Sequence, residues 1–144
     1  VNQVRAQAAA EFPDVLEVTI EVPRGSFVKR RDDGGVDYVS PFPSPFNYGS
    51  VPGTISGDGD RLDALVLGPA LPHGSVVKRP VVACVRFVDA GEADPKFVCS
   101  DTPLTPGQRR LVEGFFRRYA FLKGLLNRVR GKRGRTAYEG FDTP

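Results

Sequence analysis

Asp58-Gly59-Asp60-Arg61-Leu62-Asp63 runs straight into Ala64-Leu65-Val66-Leu67. Three carboxylates fall within six residues, and an apolar run follows at once. Anions held that close repel one another unless a cation sits among them. The apolar run reads as a strand that fixes them on a rigid element. Carboxylate oxygens suit hard divalent cations such as Mg²⁺, which commonly share a site with substrate phosphate. The plain alternative is a solvated Asp/Gly turn between two strands, since short acidic motifs also match by chance.

Working outward, a second acidic group appears at Asp89, Glu92 and Asp94, with Lys96 two residues on. It too ends an apolar run, Val81 to Val88. Upstream, Ile20-Glu21-Val22-Pro23 sets a carboxylate in a strand-like alternation, and Lys29 follows. Asn47-Tyr48-Gly49 comes shortly before the first acidic run. Carboxylates for metals, with lysines and a tyrosine for phosphate oxygens, form one inventory. Phosphoryl transfer to water needs those parts.

On these residues the chain resembles the soluble inorganic pyrophosphatases that use Mg²⁺ and a small β-barrel. Asp58 to Asp63 matches their D-G-D-x-x-D motif, and Glu21-Val22-Pro23 with Lys29 matches an E-I-P strand followed by a lysine. Pro45-Phe46-Asn47-Tyr48-Gly49 matches P-x-N-Y-G, and Asp89, Asp94 and Lys96 keep the D-x₄-D-x-K spacing. Phe115-Phe116-Arg117-Arg118-Tyr119 matches F-F-x-x-Y, and Glu139-Gly140-Phe141 the E-G-aromatic stretch. The resemblance runs from about Leu16 to Phe141. It implies metal ligands at Asp58, Asp63, Asp89 and Asp94, with Glu21 holding metal-bound water. It implies Asp60 as general base, and Lys29, Tyr48, Lys96 and Tyr119 as phosphate-binding groups. Tyr48 is counted with Asp60 in the catalytic set, and several Mg²⁺ ions are the implied cofactor.

Four positions depart from the family pattern. Tyr38 stands where an arginine is usual, and Ala120 where a lysine follows the helix tyrosine. Arg31 replaces a glutamate, and Ser44 a tyrosine. The resemblance implies that the missing arginine and lysine grip one phosphoryl group. Arg30, Arg31, Arg117, Arg118 and Lys123 are candidates to compensate.

A chain of 144 residues is most simply one domain, 1–144, with room for a sizeable core. Its 40% hydrophobic and 26% charged content is ordinary for a soluble globular protein. No apolar stretch is long enough for a membrane helix, and Val1 to Arg5 lacks the apolar core of a signal peptide. A cytoplasmic homo-oligomer is the expectation. Cys84 and Cys99 read as buried free thiols, and His73 as a turn residue, which argues against zinc. The net charge of +3 is concentrated at Arg128, Arg130, Lys132, Arg133 and Arg135. That run reads as a solvated basic loop, with neither a nucleic-acid nor a membrane partner expected.

The fold expected is mainly β (α+β): a small OB-like closed β-barrel with a long C-terminal helix packed on it. Residues 2–11 read as a short helix, Val15 to Val22 as a strand with Glu21 near the barrel interior, and Phe27 to Tyr38 as a hairpin. Pro41, Pro43, Pro45 and Pro52 mark residues 40–53 as an ordered irregular loop, excluded from central strands, with Phe42, Phe46 and Tyr48 packed down. Leu62–Leu67, Ser75–Val88 (interrupted by Pro80) and Lys96–Cys99 read as further strands. Thr105, Pro106 and Gln108 spell a helix start with a capping box. Leu111, Val112, Phe115, Phe116, Tyr119 and Leu122 form its apolar face.

Pyrophosphate hydrolysis is the leading functional reading. A related hydrolase with an altered diphosphate substrate is the alternative, as is a weakened relative kept as a binding or structural subunit.

Overall fold

Val76–Asp89 is the long strand around which the rest is assembled. The computed structural model describes residues 13–30, 35–39, 42–55 and 59–144. The short helix expected over 2–11 lies outside them, as do Arg31 and Asp58, and the side chain of Tyr38 is likewise not described. In chain order the strands are β1 (Val15–Val22), β2 (Val28–Arg30), β3 (Val36–Val39), β4 (Asn47–Val51), β5 (Leu62–Val66), β6 (Val76–Asp89), β7 (Glu92–Ala93) and β8 (Lys96–Cys99). The helix α1 (Pro106–Val129) and a last strand β9 (Ala137–Asp142) follow.

Strands β1, β4, β5, β8 and β6 pair in that order, and β6 returns to β1, so the five close into a barrel. All pairs are antiparallel except β5 with β8. Val18, Ile20, Val51, Ala64, Val66, Val81, Cys84, Phe97 and Cys99 come from all five strands and pack together inside. The register of β6 against β8 shifts between Val81 and Ala83. That bulge resets the alternation, so Val81 and Cys84 both face inward while Ala83, Val85 and Phe87 join the outer layer. There α1 covers them with Val112, Phe116 and Ala120, and Phe46 stacks on Phe116 at 6.3 Å.

The closed barrel, the β2–β3 hairpin and the helix stand as expected. So does the capping box: Thr105 accepts from the Gln108 backbone at 3.1 Å, and Gln108 accepts from the Thr105 backbone at 3.0 Å. Both cysteines are free and buried.

Several expectations are corrected. Residues 47–51 form a central strand between β1 and β5, because the prolines at 45 and 52 flank this segment and leave its N–H donors intact. Pro80 does not interrupt β6. It stands opposite Val15, where β6 passes from β1 to its later partners, and its carbonyl still accepts from Ser100 at 2.9 Å. Phe42, Leu111 and Leu122 are exposed rather than packed, at 70%, 46% and 53%. The helix is followed by β9, which pairs with β6. Gly140 serves that pairing, since any side chain there would strike the guanidinium of its partner Arg86.

Candidate active site

Lys96 is 1% exposed and lies on the outer face of the barrel beneath the helix. Its register partner on β5 is Asp63. Its ammonium donates to Asp63 Oδ2 and, at 2.7 Å, to Asp94 Oδ2. Burial alone would make this ammonium easier to deprotonate. Asp63, and after it Asp94, outweigh burial and hold its pKa above the ordinary lysine value. Tyr48 points to the same place from β4. Burial first, and then the Asp63 charge, push its hydroxyl well above the ordinary tyrosine value, with Tyr119 and Asp94 adding to the effect. Asp63 therefore faces the Tyr48 hydroxyl closely enough to act on it directly. Lys96 Nζ stands 5.7 Å from the Phe87 ring, and Phe87 packs on Tyr119 at 5.5 Å. Five of the residues singled out in the sequence therefore converge: Tyr48, Asp63, Asp94, Lys96 and Tyr119.

Local sequence explains the convergence. Tyr48 and Leu65 are paired, as are Ser50 and Asp63, so residues two apart on each strand project outward together. Gly49, between Tyr48 and Ser50, has no room for a Cβ, which would strike the Thr19 carbonyl of β1. The glycine lets β1 and β4 close, and closure aims Tyr48 at Asp63. Asn47 is fully buried and anchors the strand start. It accepts from the Arg24 and Leu71 backbones at 2.9 and 2.8 Å and donates to the Val66 and Pro69 carbonyls at 3.1 and 2.9 Å.

Asp89 forms a separate centre further along β6. It follows Phe87 by two residues and accepts at Oδ1 from Asn127 Nδ2 at 2.8 Å. Lys123 Nζ lies 3.9 Å from its Oδ2. Asn127 gave no signal in the sequence, because a polar residue late in a helix reads as a solvated one; here it is 2% exposed.

Glu21 is half-buried at a register shift of β1 on β4 between Ile20 and Val22. The barrel interior expected for it is filled by Val18 and Ile20 instead. Asp60 is exposed in the turn entering β5, after Gly59 at φ +87°. Lys29 stands opposite Tyr38 on the β2–β3 hairpin. Ala120 is 8% exposed and packs with Val112 and Phe116, so the position after Tyr119 faces the core. Of the cations weighed as compensating, Arg117 stacks on Tyr138 at 5.5 Å, while Lys123 lies beside Asp89.

Asp63, Asp89 and Asp94 offer oxygen donors only, which fits a hard divalent cation. Asp63 and Asp94 share one buried ammonium, so the trio keeps a net negative charge, which suits an added cation. Among the described residues no three acidic, cysteine or histidine side chains are grouped as a metal site. Asp58, the remaining ligand of the resemblance, is not among the described residues.

The family description "Inorganic pyrophosphatase" matches residues 18–137. An inorganic pyrophosphatase of Gluconobacter oxydans is 38% identical over 97 residues, which are 62% of this chain and 56% of that protein. A soluble inorganic pyrophosphatase of Zea mays is 34% identical over 130 residues, 76% of this chain and 60% of that protein. The chain thus spans little more than half the length of these relatives. The crystal structure of an inorganic pyrophosphatase from Thermus thermophilus superposes with a TM-score of 0.72 at 29% identity, covering 91% of this chain and 83% of that one. An inorganic pyrophosphatase from Neisseria gonorrhoeae gives 0.71 at 29% identity, over 90% and 83%. With the closed barrel, the Asp63–Lys96–Asp94 cluster and a family match over residues 18–137, this chain belongs to the inorganic pyrophosphatase family.

Proposed function

We propose that this protein hydrolyses inorganic pyrophosphate to two phosphates with the help of Mg²⁺. The observation that carries the reading is Lys96: a buried ammonium held by two carboxylates, with two tyrosine side chains beside it. That is a preorganised polar cluster on an apolar wall, and preorganised charge is the main resource for stabilising phosphoryl transfer.

Asp63, Asp89 and Asp94, with Asp58, would hold the metal ions, and Glu21 would hold metal-bound water. Bound Mg²⁺ supplies charge neutralisation on the phosphoryl oxygens and a water of lowered pKa. Asp60 takes the proton of the attacking water. Lys96 and Lys29 bind phosphoryl oxygens as cations. Tyr48 and Tyr119 stay protonated and donate hydrogen bonds to those oxygens, a role that suits the raised pKa of Tyr48. Lys123 adds a cation one helical turn beyond Tyr119, on the same face.

The reading extends to assembly. Phe121, Leu122 and Val129 are 68%, 53% and 85% exposed along α1, which supports a homo-oligomer, checked by light scattering. Among the described residues no helix is long and apolar enough to cross a membrane. The deciding experiment for function is phosphate release from pyrophosphate with Mg²⁺ and with chelator. Mg²⁺-dependent release is expected, and none above background in saturating Mg²⁺ would defeat the reading.

A further inference from the structure

Asn127 sits at the end of α1, where the helix stops in a defined way. Gly131 takes φ +71°, Lys132 N–H donates to the Asn127 carbonyl at 2.8 Å, and Gly131 N–H to the Arg128 carbonyl at 3.1 Å. This paired closure fixes the last turn and the start of the loop behind it. The basic segment 130–136 then folds back onto the β6–β7 turn. Gly91 N–H donates to the Arg135 carbonyl at 2.8 Å. Gly134 lies so close to Ala90 that a Cβ there would come within 2.5 Å of its carbonyl carbon. Ala90 itself takes φ +50°, and its N–H donates to Thr136 Oγ1 at 3.0 Å.

Asn127 Nδ2 joins these parts. One hydrogen goes to Asp89 Oδ1 at 2.8 Å and the other to Thr136 Oγ1 at 2.9 Å. The Asp89 carboxylate only accepts, so it requires the NH₂ end of the amide and fixes its orientation. Its Oδ1 is buried with no hydrogen-bond partner among the described residues. A buried unpaired carbonyl costs stability. A leucine would avoid that cost, so what asparagine adds at this position is the pair of donated bonds. We propose that Asn127 is a positioning residue for Asp89. It locks the carboxylate through Oδ1 and leaves Oδ2 toward Lys123. The loop 130–136 serves as the brace that holds Asn127 and the Asp89 turn together.

The inference rests on the pyrophosphatase reading in taking Asp89 as a cation ligand. Its test therefore measures cation binding without substrate. Calorimetric titration of the full chain with Mn²⁺ should show Asn127→Leu weakened by about 10- to 100-fold, the usual effect of removing a group that orients a ligand. In an Asp89→Asn background, Asn127→Leu should cause no further loss, because the two act as one unit. Wild-type affinity in a folded Asn127→Leu variant, or losses that simply add, would overturn the inference. So would a wild type that takes up no Mn²⁺. Should Asn127→Leu fail to fold, Thr136→Val removes the second acceptor while keeping the amide, and the same titration decides by the same outcomes. Absent phosphate release would defeat the pyrophosphatase reading alone and leave this titration to stand.

Discussion

Asp63 carries two loads that the sequence presents as one. As part of an acidic run it reads as a charge whose removal relieves repulsion. In the fold it accepts from Lys96, so the cation the run demands is already present in part. Asp63→Asn should therefore abolish Mg²⁺-dependent hydrolysis and also destabilise the metal-free protein. A hydrogen bond to a charged group contributes about 1.5–3 kcal/mol, and Lys96 would keep only Asp94 as a carboxylate partner among those described. Chemical denaturation with chelator present measures the second effect, and an unchanged midpoint would show that Asp94 suffices. Asp60, exposed in its turn, is tested through turnover. Asp60→Asn should lower turnover by about 10²- to 10⁴-fold, the contribution of a positioned base. A normal rate would move the proton-accepting role to another group.

Elements differ in how far their own residues specify them. The start of α1 was legible, because Thr105, Pro106 and Gln108 act locally and complete their hydrogen bonds within one turn. Strand β4 was not legible: four nearby prolines masked a short stretch with no proline in it, and only pairing with β1 and β5 makes it a strand. Gly49 carries the cost of that pairing. Gly49→Ala would drive a methyl group into the Thr19 carbonyl, so β1 and β4 must separate. The expected result is a loss of more than about 2 kcal/mol, in the range of overpacked cores, with Tyr48 turned off Asp63 and activity reduced further than stability explains. Thermal melts and turnover on the folded fraction test it; a variant with wild-type melting would show that the barrel yields there.

At the scale of the molecule, the barrel buries groups that ionise in water. Burial pushes the Cys84 thiol from an ordinary 9.0 up to about 12, with Asp142 adding to it, and burial alone does the same for Cys99. Between those values the unfolded chain loses both thiol protons while the folded chain keeps them. The folded state then binds more protons, so stability falls as pH rises from about 9 to about 12, by at most about 1.4 kcal/mol per pH unit for each thiol. Lys96 acts in the same direction: its raised value gives stability that is complete below the ordinary lysine range and is lost above it. Urea midpoints followed into the alkaline range should fall less steeply in the double variant Cys84→Ala with Cys99→Ala. A slope equal to wild type would mean that other groups dominate.

The sequence by itself determined the class of fold, the helix start and the inventory of carboxylates, lysines and tyrosines. Alternation, capping and motif spacing are local and survive in one dimension. Only the tertiary structure decided which of these residues meet. The β5–β8 register sets Asp63 beside Lys96, and the bulge in β6 turns Phe87 outward, which Asp89 follows by two residues. The end of α1 brings Asn127 across 38 residues to Asp89. Such contacts depend on strand register and helix length, and a single residue's slip in either would undo them.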